Sequence, residues 1–232
     1  MGTRRAVVLF ARAPVPGRAK TRLIPALGPE GAAEIYRCFL LDTLEALRGL
    51  PADVIVAAAA QDEVEALSAA VREAACPAAL AVQRGDTLGD RVGNALGDAL
   101  SQGYSAAIAI GTDAPDLPVA YIGRAIELVG ANDLVLGPCL DGGYYLVGMQ
   151  KLHPPLFQGI EWSSAGVLSG TLKRASQMGL AVALLDRWED VDTLPDLERL
   201  RERLSRTASA GGPVPCPRTW RRLQHLPERP TE

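Results

Sequence analysis

Asp113 stands at the end of a run suited to presenting a carboxylate. Residues 106–118 read AAIAIGTDAPDLP, and the first five, Ala106–Ile110, are apolar and of the right length for a short buried strand. Gly111 stops that strand, and Pro115 and Pro118 break any continuation. The acid therefore sits where a central strand gives way to a loop. Ligands of open α/β sheets bind beyond the carboxyl ends of the strands, and a carboxylate there can hold a hard cation that carries phosphates. The competing reading is a turn acid bonded to its own backbone.

Residues 11–23, ARAPVPGRAKTRL, bring a cluster of positive charge: Arg12, Arg18, Lys20 and Arg22. Two prolines and a glycine exclude regular structure. A basic loop directly after a first strand suits a phosphate cradle; the alternative is a solvated basic loop. Neither GxxxxGK[ST] nor GxGxxG spacing is present. Residues 83–96, QRGDTLGDRVGNAL, form a glycine-bearing loop (Gly85, Gly89) leading into a helix with Arg91 in its first turn. A cation is unfavourable there, and a nearby anion would remove the conflict; pairing with Asp86 or Asp90 would do so too.

Residues 138–149, PCLDGGYYLVGM, supply a further acid. Asp141, Gly142 and Gly143 predict a tight turn, with an antiparallel strand starting at Tyr144. The glycines would leave room for a substrate against the backbone, and Asp141 would accept from acceptor hydroxyls; otherwise it is an ordinary hairpin acid. Asp190 and Asp192 precede a helix that Thr193 and Asp196 start with capping-box spacing. Either is a candidate second metal ligand, although acids are common at helix starts.

These residues need a scaffold, and the hydrophobic pattern predicts one. Strands are expected at 6–10, 53–58, 79–82, 106–110, 133–137, 144–148 and 181–185, with helices at 29–48, 62–75, from the 83–96 loop to beyond Leu100, at 119–129, 163–178 and from 193. Ser163, after Trp162, reads as the N-cap of the helix ending before Gly179. From about Arg206 the chain is rich in Pro, Gly and Arg without a clear period. Residues 206–232 are therefore expected to be a flexible or loosely docked tail with one short helix near 220–226, and residues 1–205 a single domain.

Composition narrows the class. The chain has 232 residues, 48% of them apolar, enough to bury a large core. A formal net charge of -3 gives no mark of a nucleic-acid binder, and no stretch is long and apolar enough to span a bilayer. The apolar run near the N-terminus is too short for a signal peptide, since Arg12 closes it. Cys38, Cys76, Cys139 and Cys216 lack CxxC spacing and read as reduced thiols of a cytoplasmic protein.

Taken together, ARAPVPGRAKTRL, LGDRVGNAL, IGTDAPDLP, GPCLDGGYYLVGM and WEDVDTLPDL resemble a bacterial family of glycosyltransferase-A-type proteins in the nucleotide-diphospho-sugar transferase superfamily. More distantly the chain is similar to molybdenum-cofactor and phospholactate guanylyltransferases. The resemblance implies a Rossmann-like three-layer α/β/α sandwich, its sheet mostly parallel with one reversed strand. It implies a transferase using Mg²⁺ or Mn²⁺, a nucleotide (an NTP or an NDP-sugar) and a small-molecule acceptor. Asp113 and Asp192 match the metal-binding acids. Arg12, Lys20 and Arg22, with Gly89 and Arg91, match the nucleotide-binding part. Asp141, Gly142, Gly143 and Tyr144 lie where the acceptor binds, and Asp113, Lys20 and Asp141 are the catalytic candidates. Pro14 and Pro16 replace glycines of the usual nucleotidyltransferase loop, and GTDAPD has its acids three apart where many glycosyltransferases carry DxD.

Overall fold

The computed structural model describes residues 4–162 and 164–226. Among them, seven strands form one sheet: β1 (Arg5–Ala11), β2 (Asp53–Ala58), β3 (Ala78–Val82), β4 (Ala106–Ile110), β5 (Leu134–Pro138), β6 (Tyr144–Met149) and β7 (Val182–Leu184). Their order is β3-β2-β1-β4-β6-β5-β7. Only β6 is reversed, antiparallel to both β4 and β5, while the other neighbours run parallel. The turn before β6 explains the reversal. Asp141 Oδ1 accepts from the Gly143 N–H at 2.9 Å, and Gly142 takes the left-handed φ of 92° that closes so tight a turn.

Among the described residues seven α-helices accompany the sheet: α1 (Ile24–Leu47), α2 (Val64–Glu73), α3 (Leu88–Ser101), α4 (Val119–Leu128), α5 (Val167–Gln177), α6 (Leu194–Ser209) and α7 (Pro217–Gln224). Alternate strand residues point to opposite faces, and both faces are covered. Val7, Leu9, Val56 and Ile108 meet Leu40 and Leu44 of α1, Leu67 of α2 and Ile126 of α4. Ala6, Val8, Ala57 and Ala109 meet Val92 and Leu96 of α3 and Ala175 of α5. This is the expected three-layer sandwich.

Element boundaries follow local chemistry. α1 is broken at Gly28, whose φ of 71° leaves the helical region just before Pro29, so the long helix effectively starts where the proline pattern predicts. α5 begins at Val167 behind Gly166; the expected cap, Ser163, lies outside the described residues. No helix of the described residues is long and apolar enough to cross a membrane.

The tail needs correcting. Where loose docking was expected, α7 packs into a third core with α1 and α6, made of Ile35, Phe39, Leu200, Leu204, Cys216 and Leu223. Buried Asp42 accepts from the N–H groups of Arg218 at 3.1 Å and Thr219 at 2.8 Å. These are first-turn amides of α7 that have no partner within the helix. Arg218 also bonds Glu45 at 2.6 Å. A helix this short hides its burial, because Cys216 and Thr219 fill positions where a periodic pattern would show leucine.

Candidate active site

The loops after β1 and β4 and the segment before α6 converge at one end of the sheet. Their meeting point is Lys20. Its backbone is left-handed (φ 47°, ψ 47°), uncommon for a residue with a side chain, and the side chain is only 4% exposed. Lys20 Nζ donates to Asp113 Oδ1 and, at 2.8 Å, to Asp192 Oδ1. Burial pulls the lysine pKa down, but the two carboxylates outweigh it and hold the pKa above its ordinary value, so the ammonium stays charged. The Val191 N–H donates to the Asp113 carbonyl at 2.8 Å, joining the two acidic segments by their backbones. Asp196 Oδ2 then accepts from the Asp192 and Thr193 amides at 3.0 and 2.7 Å, capping α6 and fixing Asp192 at its start.

Asp190 has different surroundings. It is mostly buried and accepts from Cys139 Sγ at 3.3 Å. Burial, with the nearby charge of Asp113, pushes its pKa up to about 7. The Cys139 thiol is pushed up in turn, by burial and by Asp190. Of the two acids between which the sequence offered a choice, Asp192 is the one brought to Lys20.

The basic loop is pinned by residues that the sequence pattern did not mark. The Arg12 N–H donates to Tyr36 Oη at 2.9 Å, and that hydroxyl shares a 3.0 Å hydrogen bond with Thr112 Oγ1, beside Asp113. The Ala13 N–H donates to Glu63 Oε2 at 2.8 Å, and Glu63 is buried. In sequence Tyr36 falls within the helix expected over 29–48, where it looks like one more apolar position; only its hydroxyl signals the role. Arg18 pairs with Asp62 at 2.9 Å, whereas the exposed Arg22 lies 3.9 Å from Asp192 Oδ2. The second acid of GTDAPD also has a role. Asp116 is buried and accepts from Trp188 Nε1 at 3.2 Å and from Arg203 Nε at 2.9 Å. It thus ties the Asp113 loop to α6 and to the segment carrying Asp190 and Asp192.

A cleft of about 910 Å³ opens over these groups. Arg12, Lys20, Arg22 and Arg91 border it together with Asp113, Asp192, Asp141, Gly143 and Tyr144. Arg91 Nε donates to the Gly85 carbonyl at 3.1 Å, and Asp90 is engaged in a capping box with Thr87. Asp141 spends one oxygen on its own turn. Tyr144 packs edge-on to Trp162, ring centres 6.2 Å apart.

Two glycines depart from expectation. Gly89 is buried, and a Cβ there would lie 2.4 Å from Trp162 Nε1 and 2.6 Å from the Phe157 carbonyl. It admits the indole and does not face the cleft. At Gly142 a Cβ would fall 2.2 Å from the Ala165 carbonyl, so its lack of a side chain serves the approach of the 164–166 segment rather than an acceptor.

The donor set suits a hard divalent cation. Mg²⁺ is commonly held by one or two carboxylates plus substrate phosphates and waters, and Asp113 and Asp192 are close enough to share a single ammonium. Among the described residues no group of three or more His, Cys, Asp or Glu side chains forms a cage, so the remaining ligands would come from substrate and water.

The sheet order, the reversed strand and the cleft at the carboxyl ends define the fold of the nucleotide-diphospho-sugar transferases. Within it, residues 42–164 match the family described as an uncharacterized protein conserved in bacteria (DUF2064), and the chain belongs to that family. A candidate nucleotide-diphospho-sugar transferase from Desulfovibrio desulfuricans G20 is 31% identical with a TM-score of 0.85, over 96% of this chain and 95% of that one. The 4-diphosphocytidyl-2C-methyl-D-erythritol synthase of Anaerococcus prevotii DSM 20548 shares 10% identity and a TM-score of 0.61, over 88% and 96%. Rv0371c of Mycobacterium tuberculosis H37Rv, in complex with manganese, shares 19% identity and a TM-score of 0.50, over 87% and 100%. The last two similarities speak for the fold alone. No curated protein matches the chain in sequence.

Proposed function

We propose that this protein is a divalent-metal-dependent nucleotidyltransferase that moves a nucleoside monophosphate from an NTP to a small phosphate or phosphonate acceptor. The observation that carries this reading is the meeting of Lys20 with Asp113 and Asp192 in a cleft bordered by Arg12 and Arg22. An acceptor oxygen attacks the α-phosphorus, forming a new P–O bond, and the bond to the α,β-bridging oxygen breaks to release pyrophosphate. A leaving group so highly charged needs several cations, and one loop offers three. Mg²⁺ or Mn²⁺ bound by Asp113 and Asp192 would neutralise charge on the phosphates. The free oxygen of Asp141, with Tyr144 and the turn backbone at Gly143, orients the acceptor. Of two proteins that share the fold, one is by name a diphosphocytidyl-methylerythritol synthase and the other is in complex with manganese, and the reading is in keeping with both. A cytoplasmic location fits the four thiols and the nucleotide donor.

A second reading is glycosyl transfer from an NDP-sugar, favoured by the description of the Desulfovibrio relative. A product assay separates the two, using each NTP with Mg²⁺ and pooled small phosphorylated metabolites. Pyrophosphate release that depends on acceptor and on Asp113 is the expected result. Release of nucleoside diphosphate from an NDP-sugar, with no pyrophosphate from any NTP, would establish glycosyl transfer instead.

The loop geometry also ranks its cations. Lys20→Ala and Arg22→Ala are expected to weaken nucleotide binding roughly ten- to a hundredfold each, as charge-assisted bonds are worth about 1.5–3 kcal/mol. Arg18→Ala should have little effect, because Arg18 is engaged with Asp62. Calorimetric titration of the three variants checks the order, and three unchanged affinities would exclude the loop from nucleotide binding.

A further inference from the structure

We infer that Lys20 is an exchangeable cation: its ammonium group holds the place between Asp113 and Asp192 until nucleotide phosphates draw it away, so that a divalent cation enters the acid pair with the nucleotide and not before it. The inference rests on the proposed nucleotide site, and it concerns the order in which that site fills.

Geometry imposes the exclusion. Lys20 Nζ lies within hydrogen-bond reach of one oxygen from each acid. A divalent ion held by both carboxylates would stand about 2.0–2.1 Å from those oxygens, in the space the ammonium fills. Two cations so close in a pocket where the lysine side chain is 4% exposed repel strongly. The converse also holds. Should Lys20 leave without replacement, Asp113 and Asp192 would face each other unneutralised, with Asp190 close behind. Departure of the lysine and arrival of the metal are therefore linked.

The lysine is suited to such movement. An ammonium on a four-carbon stem is a compact charge that reorients without losing a fixed fork geometry, as an arginine would. Its left-handed backbone is a conformation that side-chain-bearing residues seldom hold without surrounding support, and the bonds of its ammonium to both acids are part of that support. The destination is nearby: Arg12 and Arg22 border the same cleft, so phosphates held between them reach the ammonium.

The test measures metal binding directly. Free Mn²⁺ is followed by electron paramagnetic resonance in titrations of wild type and Lys20→Met, first without nucleotide and then with each of the four ribonucleoside triphosphates. Lys20→Met is expected to bind Mn²⁺ at least tenfold more tightly than wild type in the absence of nucleotide. With the chelation of Mn²⁺ by triphosphate itself subtracted from protein-free controls, triphosphate should raise the Mn²⁺ affinity of wild type at least tenfold more than it raises that of Lys20→Met. Equal nucleotide-free affinities in the two proteins would overturn the exchange. A second measurement leaves the residue in place. The chain contains three lysines, Lys20, Lys151 and Lys173, so the Lys20 ammonium can be assigned by nitrogen-15 resonance. It should stay put on adding Mg²⁺ alone and shift when Mg²⁺ and triphosphate are both present; an equal shift with Mg²⁺ alone would overturn the inference. Should no triphosphate bind, the nucleotidyltransferase reading falls, while the nucleotide-free Mn²⁺ comparison still decides the exchange.

Discussion

Asp113→Asn is expected to abolish the metal-dependent part of nucleotide binding and to lower turnover by about 10²–10³-fold, the scale of losing one preorganised charge contact to a developing anion. Titrated by calorimetry, wild type should bind nucleotide at least about tenfold more tightly with Mg²⁺ than with EDTA, a difference near 1.4 kcal/mol. The variant should show the same affinity in both. Asp192→Asn should behave alike, because both acids share the Lys20 ammonium. Asp190→Asn should be milder. With a pKa pushed up to about 7 by burial and by Asp113, Asp190 is about half protonated at neutral pH, and an amide imitates its neutral form. The amide oxygen can also still accept from the Cys139 thiol. If wild type and Asp113→Asn bind nucleotide equally in every condition, the metal assignment is wrong. If Asp190→Asn does more harm than Asp192→Asn, the second ligand is Asp190.

The ease of placing Asp113 and the difficulty of placing Lys20 have the same origin. β4 is legible to the residue, because its apolar run of five ends at a glycine; β2 also falls at the expected 53–58, although alanines continue past its end. An acid three residues beyond a strand such as β4 can lie only near that strand's carboxyl end. The reversed β6 is legible from Asp141–Gly142–Gly143, since that turn admits a hairpin and no crossover. Lys20 is different: its partners are 93 and 172 residues away in sequence, and nothing local says that its backbone turns left-handed. Gly89 shows the opposite failure. In sequence it looks like a loop glycine that makes room for a ligand; in the fold the room is taken by Trp162, 73 positions on by number and adjacent in space. Asp116 was legible as an acid but not as a buried partner of Arg203, for the α6 pattern gives its leucine face and leaves the arginine looking solvated.

Deleting residues 213–232 is expected to lower the melting temperature by more than about 8 °C, contrary to what the composition of the tail suggests. The deletion removes α7 and strips cover from Ile35 and Phe39 of α1 and from Leu204 of α6, and with it go Cys216 and Leu223, which are 0% and 1% exposed. Each large apolar side chain so uncovered costs about 1.5–3 kcal/mol. Asp42 adds a polar penalty. The backbone amides of Arg218 and Thr219 are hydrogen-bonded to its carboxylate, whose pKa burial already raises; without those donors a half-desolvated charge is left short of partners, at roughly 1–3 kcal/mol or more. For a chain of this size 1 kcal/mol corresponds to about 2–4 °C, so a few such losses exceed the stated fall. The polar share is separable. In the truncated chain Asp42→Asn should recover part of the loss. In the full-length chain the same change should destabilise, because the amide replaces a charged acceptor of two N–H groups by a neutral one. The recovery should grow as pH rises above the Asp42 pKa, where the unpartnered carboxylate is fully charged. Thermal denaturation of the four proteins, followed by circular dichroism, provides the measurement. A truncated chain that melts within 2–3 °C of the full-length protein would show that α7 adds little to the core it covers.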